Sequence, residues 1–170
     1  ASRDYAPPQW VGLKFFNVYG PNEEHKHAMK SVASQIWPKV REGHAVQLFQ
    51  SYRKDVPDGG QRRDFVYVRD VADVTRWLLE NPQVNGIYNL GSGQARSFED
   101  MARQVFAAAG RDPQIEYTPM PPAIRDKYQY FTEARMERLV AAGYTAPLTT
   151  LEDGIGEYVG RYLSQPDPYR

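Results

Sequence analysis

Cysteine is absent from this 170-residue chain, so disulfide bonds and thiolate metal sites are excluded. No apolar run approaches the roughly 20 residues that a membrane-spanning helix requires, and no signal-peptide pattern opens the sequence. Acidic and basic residues are equal in number, at 21 each, so no overall charge draws the chain towards nucleic acid or anionic lipid. These absences predict a globular domain with neither nucleic acid nor membrane as a partner, in which any anion-binding site is local.

Catalytic and metal-binding patterns are also scarce. The chain has only three histidines, no tyrosine followed four residues later by lysine, and no Gly-x-x-Gly-x-x-Gly. His25 and His27 lie beside Glu23 and Glu24, but a zinc site needs further converging ligands and no third histidine is near. We therefore predict that the chain holds no metal.

Short apolar runs alternate with helical periodicity along the chain. This alternation predicts an α/β layered fold with mostly parallel strand pairing. Predicted strands cover 10–18, 46–49, 65–68, 86–90 and 115–117, and predicted helices cover 28–42, 71–79, 98–109 and 132–143, with a last helix after Thr150. The expected helix caps are Asp70, Ser97 paired with Asp100, Thr132 and Thr150.

The turn Gly91-Ser92-Gly93 between a strand and a helix resembles half of a dinucleotide-binding motif. A pyrophosphate could bind at the start of the following helix. However, Arg96 occupies the third glycine position, where a side chain obstructs close packing of helix on strand. We therefore predict a tight turn without a phosphate role.

Lys26 is the first candidate for chemistry, because it follows a predicted strand at the sheet edge where open α/β folds bind ligands. Partial burial or neighbouring positive charge would lower its pKa and suit it to proton transfer. A solvated loop lysine is the alternative, since lysine is usually exposed.

The pair Arg62-Arg63 is the second candidate, because the arginine side chain offers a planar fork that matches phosphate oxygens. Neighbours on a strand face opposite sides, so only one of the two can enter a given cleft. A surface ion pair with Asp64 is the alternative. Aromatic rings that could stack on a base or sugar, or simply pack in the protein, are Phe49, Tyr52, Tyr128 and Tyr130.

Several segments resemble the extended short-chain dehydrogenase/reductase superfamily, the NAD-dependent nucleotide-sugar epimerases and dehydratases. They are FFNVYGP, RRDFVYVRDVADV and YNLGSGQARSFEDMA. Within the superfamily, NEEHKH and KYQYFT are similar to the 6-epimerases that act on ADP-linked heptose in lipopolysaccharide synthesis. The resemblance implies redox inversion at C6 of the sugar with NADP as cofactor, NAD being the alternative.

The resemblance also implies a protein about twice this long, of which this chain is the carboxyl-terminal half. The glycine-rich cofactor loop and the Tyr-x-x-x-Lys pair belong to the other half, so this half alone should be inactive. The implied fold is the last part of a Rossmann-type doubly wound parallel sheet plus a smaller α/β substrate domain. Residues 1–20 would form a late Rossmann strand, and 21–170 mainly the substrate domain, with returning Rossmann elements near 64–110.

Site residues follow from the matched motifs. Lys26 aligns with a catalytic proton carrier that also touches the cofactor, and Val18 with a second cofactor contact. The substrate contacts implied by the resemblance are Asn17, Ala28, Gln35, Phe49, Gln50, Ser51, Tyr52, Arg63 and Tyr128. Ala28 and Gln35 stand where some relatives have serine and histidine, and Gln50-Ser51-Tyr52 differs from the Glu-Gly-Ser of some relatives.

Three functions remain open on this basis. The first is the ADP-heptose 6-epimerase, expected to be a cytoplasmic homo-oligomer, pentameric in that family, when complete. The second is another enzyme of the superfamily, such as a 4-epimerase or a dehydratase. The third is a non-catalytic module that binds a sugar nucleotide.

Overall fold

A computed structural model describes residues 7–167 of the chain. Seven strands and six α-helices follow one another, with a 3-10 helix at Glu24–Met29 and a π-helical turn at Val159–Leu163. The strands are β1 (Val11–Phe15), β2 (Asn17–Tyr19), β3 (Val46–Phe49), β4 (Arg62–Tyr67), β5 (Gly86–Leu90), β6 (Ala95–Ser97) and β7 (Ile115–Thr118). The helices are α1 (Val32–Glu42), α2 (Val68–Glu80), α3 (Phe98–Ala108), α4 (Pro122–Arg125), α5 (Glu137–Ala141) and α6 (Leu151–Tyr158).

Parallel pairing dominates the sheets, as predicted. β1 pairs with β5, β2 with β4 and β3 with β7, all parallel, while the short strand β6 runs antiparallel to β4. The predicted strand over 10–18 is divided at Phe16, whose N–H still donates to the carbonyl of Leu90. β1 ends at Phe15, paired with Leu90 of β5, whereas β2 pairs with the second half of β4, so that Tyr19 lies beside Tyr67.

Two apolar clusters hold the elements together. The larger lies between α1, α3 and α6 and includes the fully buried Tyr19, Phe106 and Tyr158. The smaller packs α2 and α5 against β5 through Leu78, Leu90 and other side chains. Within the described residues, no helix is long and apolar enough to cross a membrane.

Two of the predicted caps are confirmed. Ser97 and Asp100 form a reciprocal capping box at the start of α3. Thr150 accepts a hydrogen bond from the N–H of Asp153 at the start of α6.

The other two caps were wrong, because distant contacts redirect the chain. Asp70 lies inside the first turn of α2 rather than before it, and its carboxylate accepts bonds from the N–H and hydroxyl of Thr149 at 2.9 and 2.7 Å. Thr132 caps nothing: its N–H donates to the carbonyl of Arg62, and the helix expected over 132–143 is confined to α5.

Candidate functional site

Lys26 lies on the 3-10 segment that follows β2, and none of that segment's side chains is buried. Its backbone N–H donates to the carbonyl of Glu23 at 3.0 Å. Its side chain is exposed and has neither a hydrogen-bond nor an ion-pair partner among residues 7–167. The ammonium group is therefore available to a ligand.

Glu23 fixes the beginning of this segment. Glu23 is only 3% exposed, and its buried carboxylate accepts three hydrogen bonds. Ser31 donates through its N–H at 2.7 Å and its hydroxyl at 2.5 Å, and the buried hydroxyl of Tyr158 donates at 2.8 Å.

Glu24 and Gln35 fix the end of the segment. Glu24 accepts bonds from Lys30 at 2.9 Å and from the hydroxyl of Ser34 at 3.1 Å, and the bond to Lys30 lowers the pKa of the Glu24 carboxyl. The amide of Gln35 donates to the carbonyls of Lys30 and Ala28, at 2.7 and 3.2 Å. The two carboxylates thus hold the residues that follow the segment, Glu23 through a backbone N–H and Glu24 through side chains. No group of three or more His, Asp or Glu in the described part of the chain could hold a metal ion.

A cavity of about 250 Å³ opens beside β2. Asn17 and Val18 line it, together with Phe65 from β4 and with Lys30 and Ser31, which connect the 3-10 segment to α1. The sequence-predicted cofactor contact Val18 and substrate contact Asn17 therefore share one cavity, at the strand end where α/β sheets bind ligands.

A second cavity, of about 320 Å³, lies between α1 and β3. It brings together three of the predicted substrate contacts, Gln35, Phe49 and Tyr128. The rest of its wall is formed by Phe98, Gln61, Gln47, Leu48, Val32 and Ile36. The Gln61 amide is buried and donates to the carbonyl of Gln50 at 3.2 Å. The cavity thus combines three aromatic rings, three aliphatic side chains and three amide groups.

Arg63 lies next to the second cavity, stacked between two rings. Its guanidinium carbon is 5.2 Å from the centre of the Tyr128 ring and 5.5 Å from that of Phe98. Burial lowers the pKa of Arg63, and no carboxylate pairs with it among the described residues. The predicted alternative, an ion pair with Asp64, is wrong, because that carboxylate points to the other side of β4. Arg62 is exposed, in agreement with the alternation expected along a strand.

The predicted substrate segment Gln50-Ser51-Tyr52 directly follows β3, whose last residue Phe49 lines the second cavity. The N–H of Ser51 donates to Asp58 at 2.6 Å, and the N–H of Tyr52 donates to the hydroxyl of Tyr130 at 2.9 Å. These bonds shape the loop from both sides. The exposed ring of Tyr52 is covered by the guanidinium of Arg125, 3.8 Å from the ring centre.

The Gly91-Ser92-Gly93 turn is closed to phosphate. The fully buried carboxylate of Asp64 accepts bonds from the N–H groups of Ser92 and Gly93 at 2.6 and 2.9 Å, and from the Ser92 hydroxyl at 2.7 Å. It also accepts a bond from the N–H of Ala134 at 2.9 Å. Since an internal anion already occupies these donors, the prediction of a turn without a phosphate role is supported.

Sequence reasoning missed three residues of the site. Arg125, Phe98 and Gln61 act through distant partners, and only the aromatic content around Tyr128 hinted at such a cluster. Lys26 and Ala28, by contrast, line neither cavity, although the Gln35 amide links the backbone of Ala28 to the second one.

An exposed ammonium group, an arginine without an acidic partner among the described residues and a cavity lined by three aromatic rings are the groups that an anionic, ring-containing ligand would contact. Residues 2–91, just over half of the chain, match the NAD dependent epimerase/dehydratase family, and the chain belongs to this family. The expected Rossmann-like α/β fold class is confirmed by this match and by the structural neighbours.

Curated relatives share more specific similarity. The ADP-L-glycero-D-manno-heptose-6-epimerase of Nitratidesulfovibrio vulgaris is 50% identical over 159 residues, covering 94% of this chain and 49% of the relative. The enzyme of the same name from Fusobacterium nucleatum is 43% identical over 169 residues, covering 96% of this chain and 51% of the relative. The chain spans about half the length of the curated relatives it matches.

Solved structures of epimerases are also similar to this chain. The ADP-L-glycero-D-manno-heptose-6-epimerase of Helicobacter pylori matches with a TM-score of 0.72 at 30% identity, covering 90% of this chain and 44% of that one. The UDP-glucose 4-epimerase of Thermus thermophilus, solved in complex with NAD, matches with a TM-score of 0.66 at 31% identity, covering 87% of this chain and 44% of that one.

Residues 1–6 of the predicted strand region 1–20 lie outside the described residues. The predicted division into a late Rossmann strand and a substrate domain stays a prediction.

Proposed function

We propose that the complete protein containing this chain interconverts the two C6 epimers of ADP-glycero-manno-heptose. The observation that carries the proposal is the 50% identity to a relative of that name across 94% of this chain. Such extended similarity includes the residues around both cavities and the Lys26 segment, where the chemistry of a sugar nucleotide would take place.

Lys26 carries or accepts the proton at the C6 oxygen on one face of the sugar. Its exposed, unpaired ammonium group supports this role. The opposite face needs a second acid–base group, which the family's tyrosine supplies from outside this chain. This half alone is therefore inactive in our proposal. NADP, when bound, supplies the hydride exchange at C6.

The nucleotide-sugar binds through the second cavity and its rim. Arg63 contacts the diphosphate, since its fork has no internal anion to bind. Phe49 and Tyr128 flank the nucleoside or sugar rings, and Asn17 contacts the sugar. The remaining substrate contacts in the proposal are Ala28, Gln35, Gln50, Ser51 and Tyr52.

The cofactor binds at the cavity beside β2 through Val18, which lines it. Lys26, which lies outside the cavity on the 3-10 segment, is its second contact in the proposal. Phe16, Met29 and Phe65 are among the residues that line that cavity, so a nicotinamide ring would find apolar contacts there. The closed Gly91–Gly93 turn is unsuited to the pyrophosphate. We propose NADP rather than NAD. We further propose a cytoplasmic homo-oligomer that supplies a precursor of lipopolysaccharide.

Replacing Lys26 with methionine in the full-length protein tests the proposal. We expect kcat for ADP-heptose epimerisation, followed by NMR of the sugar, to fall about 10²–10⁴-fold, the usual contribution of one acid–base group. Binding of ADP should be retained. Lys39→Met is the matched control, because Lys39 is an exposed lysine in the last turn of α1.

Full epimerase activity of the Lys26→Met enzyme would contradict the assigned role. The similarity to the UDP-glucose 4-epimerase of T. thermophilus favours a 4-epimerase as the second candidate. Conversion of UDP-glucose with no conversion of ADP-heptose would establish that candidate instead. If the full-length protein binds ADP-sugars but converts neither substrate, the non-catalytic module is correct.

A further inference from the structure

The Lys26 segment has no apolar anchor of its own. None of its six residues is buried, so the hydrophobic effect does not fix where it lies on the protein surface. A proton carrier must nevertheless be held close to its target, because misplacement by about 1 Å can lower a rate about 10²-fold. The position of Lys26 must therefore come from polar contacts at the ends of the segment.

Glu23 supplies the most deeply buried of these contacts. Its carbonyl oxygen accepts the N–H of Lys26 at 3.0 Å, while its carboxylate is held by Ser31 and Tyr158. One residue thus connects the backbone of Lys26 to two other elements. Tyr158 lies in α6, 135 residues further along the chain, and its ring is packed in the larger apolar cluster at 1% exposure.

We infer that Glu23, held by the hydroxyl of Tyr158, is a positioning residue for Lys26. The inference rests on the proposed function of Lys26. Through this hydrogen bond, α6 fixes the position of the 3-10 segment. Burial and the neighbouring Glu23 charge raise the pKa of Tyr158 well above its ordinary value, so its hydroxyl keeps the proton that it donates.

Two substitutions separate positioning from folding. Tyr158→Phe keeps the buried ring and removes one of the three donors to Glu23. Glu23→Gln keeps the volume but places an NH₂ group against donors, so at least one of them loses its acceptor. We expect the second change to have the larger effect.

The matched control is Tyr162→Phe. Tyr162 lies one turn beyond Tyr158, and its hydroxyl accepts a bond from Arg69 at 2.8 Å, without contact to the Lys26 segment. Losing it should change neither the segment nor the rate.

Two measurements on the full-length protein test the inference. Hydrogen exchange at the Lys26 amide should become about tenfold faster in Tyr158→Phe and more than that in Glu23→Gln, because the bond to Glu23 opens more often. With ADP-heptose as substrate, kcat should fall about tenfold or more while KM changes less than about twofold, since Arg63 and the second cavity are untouched. A merely structural role would lower the melting temperature and leave kcat per folded molecule unchanged.

The outcomes distinguish this inference from the proposed function. If exchange at Lys26 is unchanged in both variants, Glu23 does not position it and the inference is wrong. Faster exchange with unchanged kcat also overturns it. If the wild type does not epimerise ADP-heptose, the proposed function is wrong, and the exchange rates still decide whether Glu23 and Tyr158 hold the segment.

Discussion

Replacing Arg63 with alanine is the sharpest test of the proposed anion site. The Arg63 guanidinium is half-buried against Phe98 and Tyr128 and lacks an acidic partner among the described residues. Burying a charge in this way is unfavourable, as the lowered pKa of Arg63 indicates. We therefore expect a bound ligand to supply the negative charge that compensates the buried Arg63 guanidinium.

The size of the effect follows from the bonds involved. A hydrogen bond to a charged group contributes about 1.5–3 kcal/mol, so the Kd for ADP should rise about 10- to 150-fold. Stability should change by less than about 1 kcal/mol, because the lost cation–π contacts are offset by relief of the buried charge. Arg63→Lys should fall between, since it keeps the charge without the planar fork.

Isothermal titration of the full-length protein with ADP measures this change. Arg62→Ala is the control, because the exposed Arg62 side chain on the same strand has no partner among residues 7–167. We expect its Kd to stay within about twofold of the wild type, apart from a small salt-dependent change. An Arg63→Ala protein that binds ADP as tightly as Arg62→Ala would remove Arg63 from the site.

Two further predictions concern buried or paired carboxylates. Asp64→Ala should lower the free energy of unfolding by more than about 3 kcal/mol, because the buried N–H groups of Ser92, Gly93 and Ala134 lose their acceptor. Urea denaturation measures this free energy, and a loss below about 1 kcal/mol would show that Asp64 does not anchor these N–H groups. The folded-state pKa of Glu24 is lowered by its bond to Lys30, so this pair stabilises the 3-10 segment above the unfolded pKa and the contribution is lost as the pH falls through the folded one. Hydrogen exchange in that segment should therefore show greater opening below about pH 4, and Glu24→Gln should abolish this pH dependence.

Local chemistry in the sequence was sufficient for part of the fold. The Ser97–Asp100 box and the Thr150 cap depend on residues three positions apart, so their geometry follows from the sequence alone. Parallel pairing was equally accessible, since apolar strands alternated with amphipathic helices.

The failures share a different physical cause. Asp70 binds Thr149, which is 79 residues away, and Asp64 binds Ala134, which is 70 residues away. In each case a carboxylate that looked available for a local role is buried and used by a distant backbone N–H. No local pattern reports such a partner, so the helix at 132–143 could not have been rejected from sequence.

In the candidate site, too, motifs in the sequence identified some residues, and long-range contacts hid the others. Motif resemblance named Arg63, Phe49 and Tyr128, which the structure brings together around one cavity. Phe98 and Arg125 were missed because their contacts join segments far apart in the chain.

Helix α1 links the two parts of the site in a way that neither cavity reveals by itself. Its cap Ser31 and its first-turn Ser34 hold the two glutamates that anchor the Lys26 segment. One residue further, the Gln35 amide donates to the carbonyl of Ala28, and the same side chain lines the second cavity. The first turn of α1 therefore contacts both the Lys26 segment and the second cavity. In our proposal this shared turn keeps the proton carrier and the substrate cavity in a defined relation, as proton transfer to one carbon's oxygen requires.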